Sequence, residues 1–250
     1  MTAASYDDAS ARRYAAAESR PDSFANLLAP RILRTIEATN KPSMHVLDIG
    51  AGTGHLADAL RAAGHTTIAV DYSVPMLQHR SQVRSATPGH AIAADAAHLP
   101  LRGSFDLITA TFNVLNHLPD QNAVQSAFEE VSRLLASNGL FIFDINTRLG
   151  LEQTESLTVV QDDKDSKTEW RRHWLTPETL RLVASGKFRD GNEWHSYEET
   201  IDKIVLPIDW LESALGQAGL GNINWVADDL VTQIAEPERH AVAFALVHPN

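Results

Sequence analysis

Three glycines in five positions follow a short apolar run in the segment VLDIGAGTGHL. Gly50, Gly52 and Gly54 lie just beyond Asp48, where the run ends and a helix-like stretch begins. Glycine adopts positive φ without steric cost and lets a ligand lie against bare backbone. Three glycines at one strand end exceed what an ordinary turn requires. The loop is therefore predicted to hold a cofactor.

Acidic residues at the strand ends narrow the chemistry of that cofactor. A dinucleotide fingerprint has its third glycine where this chain has His55. Asp48 would repel a pyrophosphate but suits an ammonium group. Asp71 closes the second strand-like run, where a carboxylate can accept both ribose hydroxyls, and Asp95 closes the third, near an adenine amino group. The predicted ligand is an adenosine with a cationic tail and no phosphates.

The composition excludes several classes of protein. The chain has 250 residues, 44% of them hydrophobic, which is enough to bury the core of one α/β domain with an insertion. A net charge of −11 argues against a nucleic acid partner, because phosphate binding needs a basic face. No apolar run suits a signal peptide or a membrane span, and there are no cysteines. We expect a cytoplasmic protein with no membrane partner and no bound metal.

Short apolar runs alternate with helix-like stretches through the first part of the chain. The strand-like runs are residues 44–49, 66–71, 90–95, 105–112 and 139–145, and the helix-like stretches between them are residues 55–64, 74–82 and 122–139. Such alternation predicts a parallel sheet covered by helices on both faces, which binds ligands beyond the carboxyl ends of its strands. The third helix is predicted to stop at Asn138-Gly139.

A meander of antiparallel strands is predicted after the fifth strand, because strand-like runs there are separated by DDKDS, TPE and RDGN. Trp170 and Trp174 have even spacing, so both are predicted on one strand face, lining either the substrate site or a subunit interface. A helix at 207–220 and strands at 222–227 and 241–247 then complete seven strands. The predicted fold is a doubly wound, mostly parallel α/β sheet with an antiparallel insertion and an N-terminal helical lid. The predicted division is a lid at 1–40, a core at 41–146 and 206–250, and an insertion at 147–205 that serves as a cap or an oligomer interface.

Residues 44–146 resemble the class I S-adenosylmethionine-dependent methyltransferases. The resemblance is carried by VLDIGAGTGHLADAL, AVDYSVPML, AADAAHLPL, FDLITATFNVLNHL and LLASNGLFIFDIN. It implies S-adenosylmethionine as the cofactor and S-adenosylhomocysteine as its product. By position, it implies that the cofactor is contacted by Asp48, Gly50, Gly52, Gly54, Asp71, Tyr72, Met76, Asp95, Ala96 and Thr111.

The rest of the chain resembles the small-molecule N-methyltransferases, especially the amino-sugar dimethyltransferases and the glycine N-methyltransferase group. Those enzymes have an N-terminal lid bearing tyrosine, a histidine or tyrosine after the fourth strand, and an insertion after the fifth. The corresponding positions are Tyr6, Tyr14 and His117. The resemblance also implies that Arg20 pairs with the cofactor carboxylate, although a solvated surface arginine is an equal alternative.

Methyl transfer from a sulfonium depends mainly on aligning the reacting atoms in a dry site. His117 is a candidate base near neutral pH, or else a histidine at a helix start that hydrogen-bonds the backbone. Tyr6 and Tyr14 are about two helical turns apart, so both are predicted on one side of an N-terminal helix, orienting the substrate or packing on the domain. Asn113 and Asn116 are predicted at the substrate mouth, or else as caps of the following turn.

The predicted function is methyl transfer to a nitrogen of a small polar metabolite, such as an amino sugar or amino acid derivative. An O-methyltransferase acting on a hydroxyl or carboxylate is the nearest alternative, and a non-catalytic cofactor-binding protein is another. A nicotinamide oxidoreductase is disfavoured, because His55 replaces the third glycine and no Tyr-x-x-x-Lys pair is recognised. We also expect a homo-oligomer formed through residues 147–205.

Overall fold

The computed structural model describes residues 6–18, 23–37, 39–83, 91–153, 159–162 and 164–250, so Arg20 lies outside the described residues. The helices are α1 (Asp8–Glu18), α2 (Phe24–Glu37), α3 (His55–Ala62), α4 (Val74–Val83), α5 (Gln121–Leu134), α6 (Arg148–Gln153) and α7 (Ile208–Gln217). The strands are β1 (His45–Ile49), β2 (Thr66–Asp71), β3 (Ala91–Ala93), β4 (Phe105–Ala110), β5 (Leu135–Asn146), β6 (Val159–Asp162), β7 (Ser166–Thr176), β8 (Thr179–Asp190), β9 (Glu193–Ile204), β10 (Leu220–Val226) and β11 (Val242–Pro249). Short 3₁₀ helices span Val114–His117 and Pro237–Arg239.

The main sheet has seven strands in the order β10-β11-β5-β4-β1-β2-β3. All neighbouring strands pair in parallel except at β11, which is antiparallel to both β5 and β10. The strand order reverses beside β1, and a reversal of this kind opens a crevice at the carboxyl ends of the strands. The predicted mostly parallel, doubly wound sheet is confirmed.

Alternate residues of the central strands pack on opposite faces of this sheet, because side chains in a strand have a period of two. Val46, Leu107 and Ile142 pack with apolar residues of α2 and α3 on one face. Leu47 and Ile108 pack with residues of α5 and α7 on the other. Burial on both faces explains why these strands read as nearly continuous apolar runs.

The junction between α5 and β5 differs from the prediction. The helix ends at Leu134, and Leu135 already pairs with Phe105 of β4, so Asn138 and Gly139 lie within the strand. A Cβ at Gly139 would come within 2.7 Å of the Leu135 side chain. The glycine therefore allows the backbone at this position to lie close to the Leu135 side chain. It does not cap the helix, which the sequence had predicted. Sheet pairing of an apolar residue overrides the local capping signal here.

The insertion forms a second, four-stranded antiparallel sheet in the order β6-β7-β8-β9, as predicted. One side of it packs an apolar cluster of Leu151, Leu180, Leu182, Ile201 and Val205, against which Trp170 and Trp174 also lie. The helix α6, which was not predicted, precedes this sheet. The domain division and the oligomer through this sheet remain predictions.

The lid helix α1 is held at several points. Its Arg13 forms a 2.5 Å ion pair with the buried Glu199 of β9, and Asp8 lies 2.7 Å from His79 of α4. Tyr6 precedes the helix, contrary to the prediction, and its carbonyl accepts a hydrogen bond from the Ser73 hydroxyl. The lid therefore contacts both the core and the insertion.

The described helices include none with the length and apolar character that a membrane span requires.

Asn116 joins the insertion to the core. This fully buried side chain donates to the carbonyls of Asn146 and Ile204, and it accepts a hydrogen bond from the backbone of Asn146. The three bonds satisfy backbone groups at the ends of β5 and β9. Asn116 thus has a structural role between core and insertion. It does not line the cavity, although a position at the substrate mouth was predicted.

We predict that Asn116→Ala lowers the free energy of unfolding by about 2–4 kcal/mol, because it leaves buried backbone groups without partners. Urea denaturation of the two proteins measures the change. Asn138→Ala, at an exposed position of the same strand β5, is the matched control and should stay within about 0.5 kcal/mol of the parent. Equal effects of the two substitutions would contradict the assignment.

Candidate active site

A cavity of about 930 Å³ opens at the carboxyl ends of β1, β2, β4 and β5, between the lid and the insertion. It has the volume of a typical small-molecule site. Most of the predicted site residues line it: Asp48, Gly50, Gly52, Asp71, Tyr72, Met76, Asp95, Ala96, Thr111, Asn113, Tyr6, Tyr14 and His117. Gly54 and Asn116 are not among its lining residues, so the structure brings together all the described candidates except these two.

The glycine loop adopts a conformation that favours glycine. Gly50, Gly52 and Gly54 have φ values of +66°, +55° and +79°. A Cβ at Gly50 would come within 2.3 Å of a Val114 methyl, whereas a Cβ at Gly52 would meet no atom within 4 Å. Gly52 therefore leaves open space beside the cavity, and Gly54 forms the N-cap of α3. The loop fits a ligand that lies against its backbone.

Asp71 ties this loop to the end of β2. Its Oδ2 accepts a hydrogen bond of 2.8 Å from the Gly52 amide, and its Oδ1 accepts one of 2.7 Å from the Ser73 amide. Burial raises the pKa of the carboxyl, and the two amides oppose that shift. Each oxygen has a second lone pair, so a fixed carboxylate remains able to accept hydroxyls of a ligand.

Two carboxylates lie at the part of the cavity formed by the glycine loop. Asp48 is buried and accepts a hydrogen bond of 2.8 Å from the Thr109 hydroxyl. Glu18, at the end of the lid helix, accepts a hydrogen bond from the Thr53 hydroxyl and lies 3.1 Å from Nδ1 of His55. Glu18 could not be identified from the sequence, because only the folding of the lid brings it to the loop. This part of the cavity suits a cationic group.

The ends of β2 and β3 supply the residues predicted beside adenine. Met76 is 4% exposed and Tyr72 is 67% exposed, so Met76 lines the interior and Tyr72 lies at the rim. Asp95 accepts a hydrogen bond of 2.9 Å from the Ala97 amide. An adenosine with a cationic tail therefore fits the lining residues, with apolar and carboxylate groups where each part needs them.

Tyr6, Tyr14 and His117 meet in the part of the cavity beneath the lid. The Tyr6 hydroxyl lies 3.2 Å from Nδ1 of His117, and the two tyrosine rings pack edge to face at 5.6 Å. Burial, with the nearby charge of Lys203, lowers the pKa of His117 to about 3. The imidazole is thus neutral near pH 7 and a weaker base than a histidine that titrates near neutral pH. Burial raises the pKa of both tyrosines, which keeps their hydroxyls protonated.

Lys203 of β9 also lines the cavity and was not predicted from the sequence. Its Nζ donates to Oδ1 of Asn146 at 2.7 Å and to Oδ1 of Asn113 at 3.0 Å. Burial lowers its pKa to about 8, with the charge of Asp144 opposing the shift, and burial raises the pKa of Asp144 to about 6. The strand pattern offered a signal, since Tyr197, Glu199 and Ile201 are buried at alternate positions and Lys203 follows in the same phase.

Residues of the insertion close this part of the cavity with apolar surface. Trp170, Leu182 and Ile201 line it beside Lys203. Of the two tryptophans predicted on one face, Trp170 therefore borders the site, while Trp174 lies beside Arg148, whose guanidinium carbon is 5.3 Å from its ring centre. Among the described residues, no group of three histidine or acidic side chains is placed to hold a metal ion.

Solved structures with this fold are known. A S-adenosylmethionine-dependent methyltransferase from Clostridium acetobutylicum has a TM-score of 0.84 at 24% identity, covering 95% of this chain and 98% of that one. The sugar N-methyltransferase KedS8 from Streptoalloteichus has a TM-score of 0.68 at 21% identity, covering 93% of this chain and 91% of that one. At these identities, the likeness shows the fold.

Sequence comparisons identify a methyltransferase domain in part of the chain. Residues 47–143 match a family described as a methyltransferase domain. A malonyl-[acyl-carrier protein] O-methyltransferase of Geobacter sulfurreducens is 36% identical over 148 residues, which are 56% of this chain and 48% of that protein. The matched family region contains the glycine loop, Asp71 and Asp95, which fit S-adenosylmethionine as the cofactor. Residues 47–143 therefore form a methyltransferase domain with the class I fold, and S-adenosylmethionine is its cofactor.

Proposed function

We propose that the protein transfers a methyl group to an amine nitrogen of a small polar metabolite. The observation that carries the proposal is the part-buried hydrogen bond between Tyr6 and His117 at the cavity, where burial lowers the pKa of the imidazole to about 3 and makes it a weak base. An alkyl hydroxyl needs a base that removes its proton, whereas a neutral amine brings its own lone pair. Similarity in fold to a sugar N-methyltransferase also supports a nitrogen acceptor.

S-adenosylmethionine, when bound, supplies a methyl group on a positively charged sulfur, and the S–C bond breaks toward sulfur as the acceptor's lone pair forms the N–C bond. We propose that Asp48 and Glu18 attract the cationic part of this cofactor, and that Asp71 binds its ribose hydroxyls. Met76, Tyr72, Asp95 and Ala96 would surround the adenine. The main chain at Thr111 would border the methionine part.

The residues under the lid would position the acceptor and exclude water from it. Tyr14 and Tyr6 keep protonated hydroxyls that can orient an amine through hydrogen bonds. His117 accepts the Tyr6 hydroxyl hydrogen when Nδ1 carries no proton, which fixes the direction of that hydroxyl. In this proposal, alignment in a closed cavity provides most of the rate.

The alternative of carboxylate O-methylation is favoured by one observation. Lys203 lines the cavity and can hold an anionic oxygen, and a carboxylate needs no base. The similarity to a malonyl-[acyl-carrier protein] O-methyltransferase is in line with this alternative. Incubation with cofactor labelled in its methyl group and a panel of amines, hydroxyl compounds and carboxylates, followed by mass spectrometry, tests the proposal. N-methylated products support it, whereas methyl esters or ethers alone would overturn it.

We predict that Asp71→Ala weakens binding of S-adenosylhomocysteine by about 1–3 kcal/mol, because the variant loses acceptors for the ribose hydroxyls and the tie to Gly52. Isothermal titration calorimetry measures the affinity. Asp209→Ala, at an exposed position of α7, is the control and should bind like the parent. An unchanged affinity in Asp71→Ala would remove this residue from the proposed site.

The role of His117 can be separated from general base catalysis by comparing two variants. His117→Asn keeps an acceptor for the Tyr6 hydroxyl, so we expect it to retain turnover within about tenfold of the parent, whereas His117→Ala should lose more. A general base would instead contribute about 10²–10⁴-fold and be lost equally in both variants.

The pH dependence gives a second readout for the same pair. Because the pKa of His117 is lowered to about 3, the imidazole stays neutral above about pH 5, and the shape of the rate profile there should be the same in His117→Asn as in the parent. A rise near neutral pH that disappears in this variant would restore the histidine as the base.

A further inference from the structure

The ammonium group of Lys203 lines the acceptor part of the cavity, which is the part beneath the lid beside Tyr6 and His117. It makes no direct ion pair with a described carboxylate. Its two protein contacts are the amide oxygens of Asn113 and Asn146. In the described part of the chain it forms no ion pair, and Asp144 acts on it only through its charge while bonded to Asn113. Burying an ammonium that makes no direct ion pair is costly, so such groups are usually paired or bind an anion.

Lys203 and Asn146 still have N–H groups that can donate to a ligand in the cavity. An ammonium group has three N–H bonds, of which two are used by the asparagine oxygens. The amide nitrogen of Asn146 donates to no described residue, although its oxygen accepts from Lys203. One N–H of Lys203 and the amide of Asn146 therefore offer two neighbouring donors, which match the two oxygens of a carboxylate.

The position of this pair relates it to the acceptor. His117 is near enough to Lys203 for the ammonium charge to lower its pKa, and the Tyr6 hydroxyl lies on the same imidazole. Arg172 of β7 adds a second positive charge nearby, and the carboxylates that suit the cationic cofactor lie at the glycine loop. Asp144 also lines the cavity and opposes this charge, but a simple neutral amine would leave the remaining donors of Lys203 and Asn146 unused.

We propose that the methyl acceptor is an amine that also carries a carboxylate, and that Lys203 and Asn146 bind this carboxylate. The substrate class is then amino acids and their derivatives, and not neutral amino sugars. The inference rests on the proposed N-methyltransferase function and adds the second group of the acceptor. A phosphate would carry more charge and use more donors than the two that this pair offers.

Matched acceptors test the inference. The proteinogenic amino acids and their primary amides are compared as methyl acceptors, with glucosamine as a neutral amino sugar and phosphoethanolamine as a phosphorylated amine. We expect kcat/KM for the methylated acids to exceed that for their amides by about 10- to 100-fold, the range of a hydrogen-bonded charge pair. Calorimetric titration of the same compounds into the complex with S-adenosylhomocysteine tests the preference without turnover.

Variants assign the preference to its residue. Lys203→Met should remove the discrimination between acid and amide while leaving affinity for S-adenosylhomocysteine unchanged, and Lys203→Arg should restore part of it. Lys187→Met, at an exposed position of β8 in the same insertion, is the control and should keep the parent's preference. If Lys203→Met does not fold, the acid-against-amide comparison in the parent protein still decides.

The outcomes separate the two proposals. Equal use of acids and amides, a preference for glucosamine or phosphoethanolamine, or a preference that survives in Lys203→Met would overturn the carboxylate site and leave N-methylation standing. Methyl esters as products would instead overturn N-methylation. Binding of acids and amides with equal affinity to the cofactor complex would overturn the carboxylate site even if no compound of the panel is methylated.

Discussion

The buried amide of Asn116 fixes the geometry on which the proposed acceptor site depends. It joins the backbone at the ends of β5 and β9 to the 3₁₀ helix after β4. His117 follows Asn116 directly in the chain. Lys203 directly precedes Ile204, whose carbonyl accepts a hydrogen bond from Asn116. One satisfied side chain therefore sets the relative positions of a core residue and an insertion residue. A buried amide can do this because each of its bonds has a fixed direction and a high cost when broken.

Charge is distributed unevenly around the cavity. Three carboxylates lie around the glycine loop. Asp48 precedes it in the chain, Glu18 bonds to Thr53 and Asp71 bonds to Gly52. The only described lysine of the cavity lining, Lys203, comes from the insertion. A cationic cofactor and an anionic group of an acceptor would therefore be drawn to different places, and the separation follows from which strand supplies each residue.

The core and the residues that line the proposed cofactor site could be predicted from the sequence because their signals are local. Each signal stands next to an apolar run: the three glycines Gly50, Gly52 and Gly54 follow one, and Asp71 and Asp95 end two others. Parallel pairing of these runs brings all five residues to one edge of the sheet. The end of α5 could not be predicted, because the pairing of Leu135 with Phe105 is a tertiary contact that competes with a capping signal.

The acceptor side was less predictable for the same physical reason. Tyr6 was expected on a helix, yet it precedes α1 and still meets Tyr14, because the lid as a whole packs on the insertion. Asn116 was expected at the substrate, since nothing in its neighbours reveals that β9 passes over it. Lys203 was detectable only by its phase among the buried residues of β9, which requires knowing which face of that strand is covered.

The lid helix bonds to the glycine loop through Glu18, to α4 through Asp8, and to the insertion through Arg13. One helix therefore covers both the proposed cofactor side and the proposed acceptor side of the cavity. Any opening wide enough to release a ligand from either side breaks contacts that belong to both. Departure of the spent cofactor and of the methylated product would then share an energy barrier, so a change at Arg13 or Glu18 would alter the release of both ligands together.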